Sequence, residues 1–116
     1  MHNFRQLQTW KEGMEVTKQV YLLLAKFPPS EKFGLISQIS RCAVSVPSNI
    51  AEGSSRSSNK EFAHFLSIAL GSLFELETQL LLSAELAIVN SIDVEPIIAD
   101  LIQLQKKITV FRKTLN

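Results

Sequence analysis

From Ser58 to Val89 the chain runs for about thirty residues without a proline and without strand-like alternation, which at helical rise is about 45 Å of continuous α-helix. Ser58-Asn59-Lys60-Glu61 opens it as a capping box, in which Ser58 and Glu61 satisfy each other's free end groups. Any fold has to be built along this element. Its apolar residues are Phe62, Phe65, Leu66, Ile68, Ala69, Leu70, Leu73, Phe74, Leu76, Leu80, Leu81, Leu82 and Leu86, which cover well over half the helical wheel. A helix facing one core needs an apolar stripe about 100° wide or somewhat more. The excess must meet either further helices of the same bundle or another copy of the chain, and the second is the more economical expectation.

Three further helices are expected. The first runs from about Gln6 to Lys26, with Leu7, Trp10, Met14, Tyr21 and Leu24 at helical steps and Val16, Val20, Leu23 and Phe27 widening the stripe. Pro28-Pro29 ends it, because proline lacks the donor and disfavours helical geometry in the residue before it. Gly13 inside it marks either a close helix contact or tolerated slack. The second starts with Ser30 as N-cap and Glu31 in its first turn. It carries Leu35, Ile36, Ile39, Cys42, Ala43, Val46 and Ile50 on one arc and stops at Gly53, read as a left-handed C-terminal glycine. The fourth follows Asn90-Ser91, with Asp93 as N-cap, Pro96 in the first turn and Ile92 with Ile97 as a hydrophobic staple. Short loops between four helices make antiparallel neighbours, so the fold class is all-α, an antiparallel up-and-down four-helix bundle over residues 1–116 as one domain.

The stretch SVPSNIAEG, Ser45 to Gly53, interrupts the second helix with Pro47. A proline there removes one backbone hydrogen bond and crowds the Ala43 carbonyl, at a cost of about 3 kcal/mol unless compensated. A break at Val46 would make valine an N-cap, a poor choice, so a continuous helix kinked at Pro47 is expected. Ser45, Ser48 and Asn49 are the side chains expected to satisfy the freed groups.

Composition narrows the function classes. Twelve Lys and Arg against eleven Asp and Glu give no global bias toward nucleic acid or anionic membrane. The single cysteine, Cys42, excludes an internal disulfide and any multi-cysteine metal site, and fits a cytoplasmic compartment. MHNFRQLQTWKEG has no apolar core behind a basic start, so no signal peptide is expected, and Glu75, Glu77 and Glu85 interrupt the most apolar segment, so no membrane span is expected.

A polar network is expected from Arg41, Ser45, Asn49 and Glu52 on the second helix with Glu75 and Glu77 on the third. Glu77 projects into an apolar arc and needs a partner; Arg41 is the expected one, with Glu75 as competing acceptor. Neither a nucleophile nor a metal-ligand set accompanies them, so no catalytic, cofactor or metal residues are assigned. His64 is expected at the surface, and Cys42 as a small buried thiol. Basic residues gather at Arg56 and Lys60 and again at Lys106, Lys107, Arg112 and Lys113. Repeated in an assembly of copies they would bind phosphate backbone; on a single subunit they are solvated faces.

Phe27-Pro28, Glu31, Leu35, Gln38, Arg41, Ser45, Pro47, Asn49-Ile50-Ala51-Glu52-Gly53, Arg56, Phe62, Phe65-Leu66, Ala69, Gly71-Ser72 and Glu75-Leu76 occur in order, with Leu7, Trp10 and Tyr21 upstream. In these the chain resembles the four-helix-bundle family of 23S rRNA intervening-sequence proteins, closely over the first three helices and by pattern over the fourth. Cys42 departs from the alanine common at its position. The resemblance implies a bundle that assembles into a ring, typically a homopentamer. Accessory proteins of diversity-generating retroelements are similar in fold and use such a ring to hold nucleic acid. The expected function is therefore a non-enzymatic, self-assembling binding module engaging RNA or a ribonucleoprotein, or DNA. The alternative is a protein–protein adaptor or scaffold without nucleic-acid binding. An enzyme built on Arg41, Glu52 and Glu75 is the third and weakest class.

Overall fold

The computed structural model describes residues 2–116. Four helices follow one another: α1 Gln8–Leu24, α2 Leu35–Ser54, α3 Asn59–Glu85 and α4 Ser91–Lys113. Each packs against the next and α1 closes against α4, and among the described residues no diagonal pair of helices comes into close backbone approach, so the bundle is a square of antiparallel neighbours. The centre is filled by Val20 of α1, Ile39 and Ile50 of α2, Leu66, Leu73 and Leu80 of α3, and Leu101 and Ile108 of α4, all but removed from water.

The helix ends show which local signals act. Ser58 caps α3 as expected: its Oγ accepts from Glu61 N at 3.1 Å and lies 3.3 Å from Glu61 Oε1. Ser30 does not cap α2. Pro29–Glu31 form a separate 3-10 turn, α2 starts only at Leu35 behind Gly34, and Glu31 reaches forward so that its Oε1 accepts from Leu35 N at 3.5 Å. Asn90, not Asp93, caps α4, accepting from Ile92 N at 3.1 Å. Moving the cap back three residues places Pro96 sixth in the helix and leaves Ile92 exposed. The staple positions then fall to Val89 and Val94, both buried. Asp93 instead meets Lys26 at 3.4 Å. α3 ends at Glu85 rather than Val89, because Ala87 takes a left-handed backbone (φ 56°) that lets Ile88 N donate to Ser83 O at 2.9 Å.

Gly53 is not a left-handed stop. No glycine has a positive φ, and Gly53 lies inside α2, where a Cβ would come within 2.6 Å of Phe65 Cβ and 2.9 Å of Phe62 Cδ1. It is a point of close approach between α2 and α3. Gly13 plays a looser version of the same part, buried with Val46 and Pro47 at ordinary van der Waals distance from where its Cβ would stand.

α2 runs unbroken through Pro47. The carbonyl deprived of its donor belongs to Ala43, and the group that reaches it comes from another helix: the Thr17 hydroxyl of α1 lies 3.1 Å from Ala43 O and 2.8 Å from Gly13 O. Asn49 and Ser45 do not serve that carbonyl. Asn49 Nδ2 donates to Ser45 O at 2.8 Å and to Ser45 Oγ at 2.9 Å, while Ser48 faces solvent. The fully buried Ala43 would otherwise hold an acceptor with nothing to accept. Replacing Thr17 with valine should therefore cost about 1–2 kcal/mol, the range for an orphaned buried carbonyl. Pro47→Ala restores the missing N–H, so in that background the same replacement should cost markedly less. Urea denaturation of the four proteins of this cycle reads the coupling. Equal costs in both backgrounds would mean that Thr17 acts only through its shape.

The apolar stripe of α1 is centred on Val16, Val20, Leu23 and Leu24, with Phe27 beyond the helix; Met14 and Tyr21 lie outside it, exposed. α3 is long and apolar enough, by length and composition, to cross a bilayer. One side of it is the bundle core, while Ile68, Phe74, Leu81, Leu82 and Leu86 are exposed.

Candidate functional site

Between α2 and α3 the surface dips into a polar notch of about 340 Å³, lined by Gln38, Arg41, Cys42, Ser45, Ser72, Glu75 and Gln79. Residues spaced three and four apart on each helix bring these groups together, and the small side chains at 45 and 72 let the helices approach. The Ser45 and Ser72 hydroxyls meet at 2.9 Å across the floor, and Asn49 braces Ser45 from one turn below. Cys42 Sγ donates to Glu75 Oε2 at 3.3 Å, and Gln79 Nε2 donates to Gln38 Oε1 at 3.4 Å.

Three of the expected network residues, Ser45, Asn49 and Glu75, share this site. Arg41 lines it too, but its expected ion pair is absent: among the described residues Arg41 makes no salt bridge with Glu77 or Glu75. Glu77 lies on the opposite flank of α3, turned toward α4, where its Oε1 accepts from Gln105 Nε2 at 2.7 Å. Two residues along a helix is about 200° of rotation, so Glu75 and Glu77 cannot serve the same neighbour. Glu52 pairs with Arg56 one turn on, at 3.1 Å. Sequence reasoning missed Cys42, Ser72, Gln38 and Gln79 as members. Ser72 and Gln79 are one turn either side of Glu75, a spacing that would have exposed them had the facing helix been known.

Burial, followed by the hydrogen bond and the negative charge of Glu75, pushes the Cys42 thiol up to about 12 from its ordinary 9.0. A thiol held neutral is a poor nucleophile. At pH 8 the folded protein should react with iodoacetamide on the order of 10³-fold more slowly than the urea-unfolded chain, given the thiolate populations. Glu75→Gln should recover only part of that, since burial is the larger cause. Fast labelling of the native thiol would contradict this placement. Among the described residues no three His, Cys, Asp or Glu side chains gather as a metal ion would need.

The basic residues come together at one end of the bundle. The His2 ring stands edge-on to Phe62 and Phe111, with centroids at 5.0 and 6.3 Å, and Phe62 meets Phe111 at 5.4 Å. The aromatic group joins the N-terminal segment, the start of α3 and the end of α4. Arg5, Arg56, Lys60, Arg112 and Lys113 lie at this same end of the helices with only Glu52 and Glu61 for balance, whereas the far end holds Lys26 and Lys32 with Glu31, Glu85, Asp93 and Glu95. Several of the cations are already engaged. Arg56 pairs with Glu52 and lies 4.7 Å over the Phe65 ring, Arg112 Nη1 donates to Ser67 Oγ at 3.0 Å, and Lys107 pairs with Glu12. Lys60, Lys106 and Lys113 are exposed. His64 is at the surface, edge-on to Phe65.

Residues 5–110 match the family model described as 23S rRNA-intervening sequence protein. Among curated proteins none matches the chain.

Proposed function

The chain belongs to the 23S rRNA-intervening sequence protein family, and from that premise we propose that it is a non-enzymatic, cytoplasmic binding module that assembles into a ring of identical copies, a homopentamer, and offers its basic ends to RNA or a ribonucleoprotein. The observation that carries the reading is the apolar surplus. The core is already closed by buried residues from all four helices, yet Met14, Tyr21, Val44, Ile68, Leu82 and Leu86 stay exposed on the outward faces that α2 shares with α1 and α3. Side chains of that kind, numerous and spread over three helices, are what an interface between copies consumes.

Ring closure would multiply each five-cation end around an axis, and phosphate binding scales with the number of such contacts. The separation of charge along the bundle supports that use of one end. The engagement of Arg56, Arg112 and Lys107 within the subunit favours the second reading, a protein-only adaptor.

Light scattering on dilute protein, followed by titration of labelled single-stranded RNA across a salt series, tests both steps. A mass of several chains is expected, with affinity falling linearly in log salt by about 0.7 per phosphate contact. Lys60→Ala and Lys113→Ala should each lower that slope. A single-chain mass removes the ring; an assembly that ignores RNA at low salt leaves the adaptor.

A further inference from the structure

A ring joins each copy to two neighbours through two different surfaces, and the directions to those neighbours diverge by roughly 90–120° in rings of four to six. In a square bundle that condition is met by adjacent faces, not opposite ones. The face made by α1 and α2 carries exposed Met14, Tyr21 and Val44, with Tyr21 at 52% exposure and its hydroxyl free of hydrogen bonds among the described residues. The adjacent face, made by α2 and α3, carries the polar notch with exposed Ile68, Leu82 and Leu86 along its α3 side.

The two faces match in height and in chemistry. Counted from the basic end at about 1.5 Å per residue, Tyr21 stands about 20 Å along α1, and Arg41 and Ser72 stand about 20 Å along α2 and α3. Met14, at about 9 Å, falls within one helical turn of the height of Ile68, at about 13 Å. The notch lacks what a phenol brings. Among the described residues Gln79 Oε1 is buried with no donor and Arg41 has no carboxylate partner, and Glu75 lies within the same recess. A tyrosine supplies a ring for the apolar border and a hydroxyl that both donates and accepts.

We propose that the α1–α2 face of one copy seats on the α2–α3 notch of the next, with Tyr21 as the anchor. This rests on the self-assembly reading and names the surfaces that perform it. α2, common to both faces, then turns its outer side, with Ser37, Ser48 and Arg41, toward the ring axis.

The test uses two exposed-site variants of the full chain. Tyr21→Asp removes the anchor and Arg41→Glu reverses the notch; each is expected to fall to single-chain mass with helicity intact. Because each variant keeps the surface that the other has lost, an equimolar mixture is expected to give a two-chain species and nothing larger. Phe74→Asp, on the α3–α4 face, is expected to keep the wild-type mass. Should either of the first two lose its helicity, Tyr21→Ser or Ser72→Arg takes its place. Wild-type mass in Tyr21→Asp or Arg41→Glu overturns the proposal, and so does a mixture that stays single-chain, or assembly lost only in Phe74→Asp. In each of those cases the wild type still assembles, so self-assembly stands while the named surfaces fall. A single-chain wild type ends both.

Discussion

Leu73→Ala is expected to lower the stability of the folded chain by about 2–5 kcal/mol, the span measured for deleting a fully enclosed leucine. Leu73 is 0% exposed, halfway along α3, and the residues around it come from rigid helix faces that cannot collapse inward without disturbing several others. Phe74, its neighbour in sequence, is 53% exposed and points away from the core. Phe74→Ser removes a larger side chain, yet it should change the unfolding free energy of the single chain by less than about 0.5 kcal/mol, as surface replacements do. Urea titration of both variants at equal, low protein concentration makes the comparison. A large loss from the Phe74 replacement would mean that the core extends round to that side of α3. The outward apolar surplus would then be smaller than described.

Gly53→Ala is the second large expectation, and its sign is the informative part. Alanine is intrinsically better than glycine within a helix by about 1 kcal/mol, and on that ground alone the change would stabilise. The new Cβ, however, would stand 2.6 Å from Phe65 Cβ, an atom fixed to the α3 backbone that no rotamer change can move aside. Forcing two helices apart costs about 1–3 kcal/mol, and part of the Phe62 packing would go with it. Net destabilisation of up to about 2 kcal/mol follows from the difference. Gly71→Ala is the control: it lies on the exposed side of α3 with nothing within 4 Å of its Cβ, so only the propensity gain operates and the variant should be more stable. Thermal melts of the two alanine variants should move in opposite directions. A shared upward shift would show that α2 and α3 are less closely set than their glycine contact implies.

These two glycines also show where sequence stops informing. Glycine at 53 is selected by a close approach to Phe65, but from the chain alone it reads equally well as the end of a helix, because both needs favour a missing side chain. Pro28-Pro29 and the Ser58–Glu61 pair were legible because their effects are confined to a turn of backbone. So were the four helices and their order, which follow from periodicity and short loops. What failed was tertiary in origin. The wheel of α1 is apolar on two flanks, and nothing local says that Val16 and Val20 turn inward while Met14 and Tyr21 turn out. Arg41 and Glu77 looked complementary, but Gln105, twenty-eight positions beyond Glu77, takes the carboxylate instead. The notch is half legible: the sequence marks Arg41, Ser45 and Asn49 on its α2 side and Glu75 alone on its α3 side. Its α3 side depended on which residues α2 would meet.

The hydroxyl that crosses from α1 to the proline-disrupted turn of α2 has a consequence for how the molecule opens. If the first helix peels away, the Ala43 carbonyl loses the Thr17 hydroxyl and Val46 and Pro47 lose the cover of Gly13, so loosening α1 also unsettles α2. The two segments should therefore breathe together, their amide protons trading with deuterium at matched rates. A protease nicking the Pro28-Pro29 link should release them as a unit rather than one after the other.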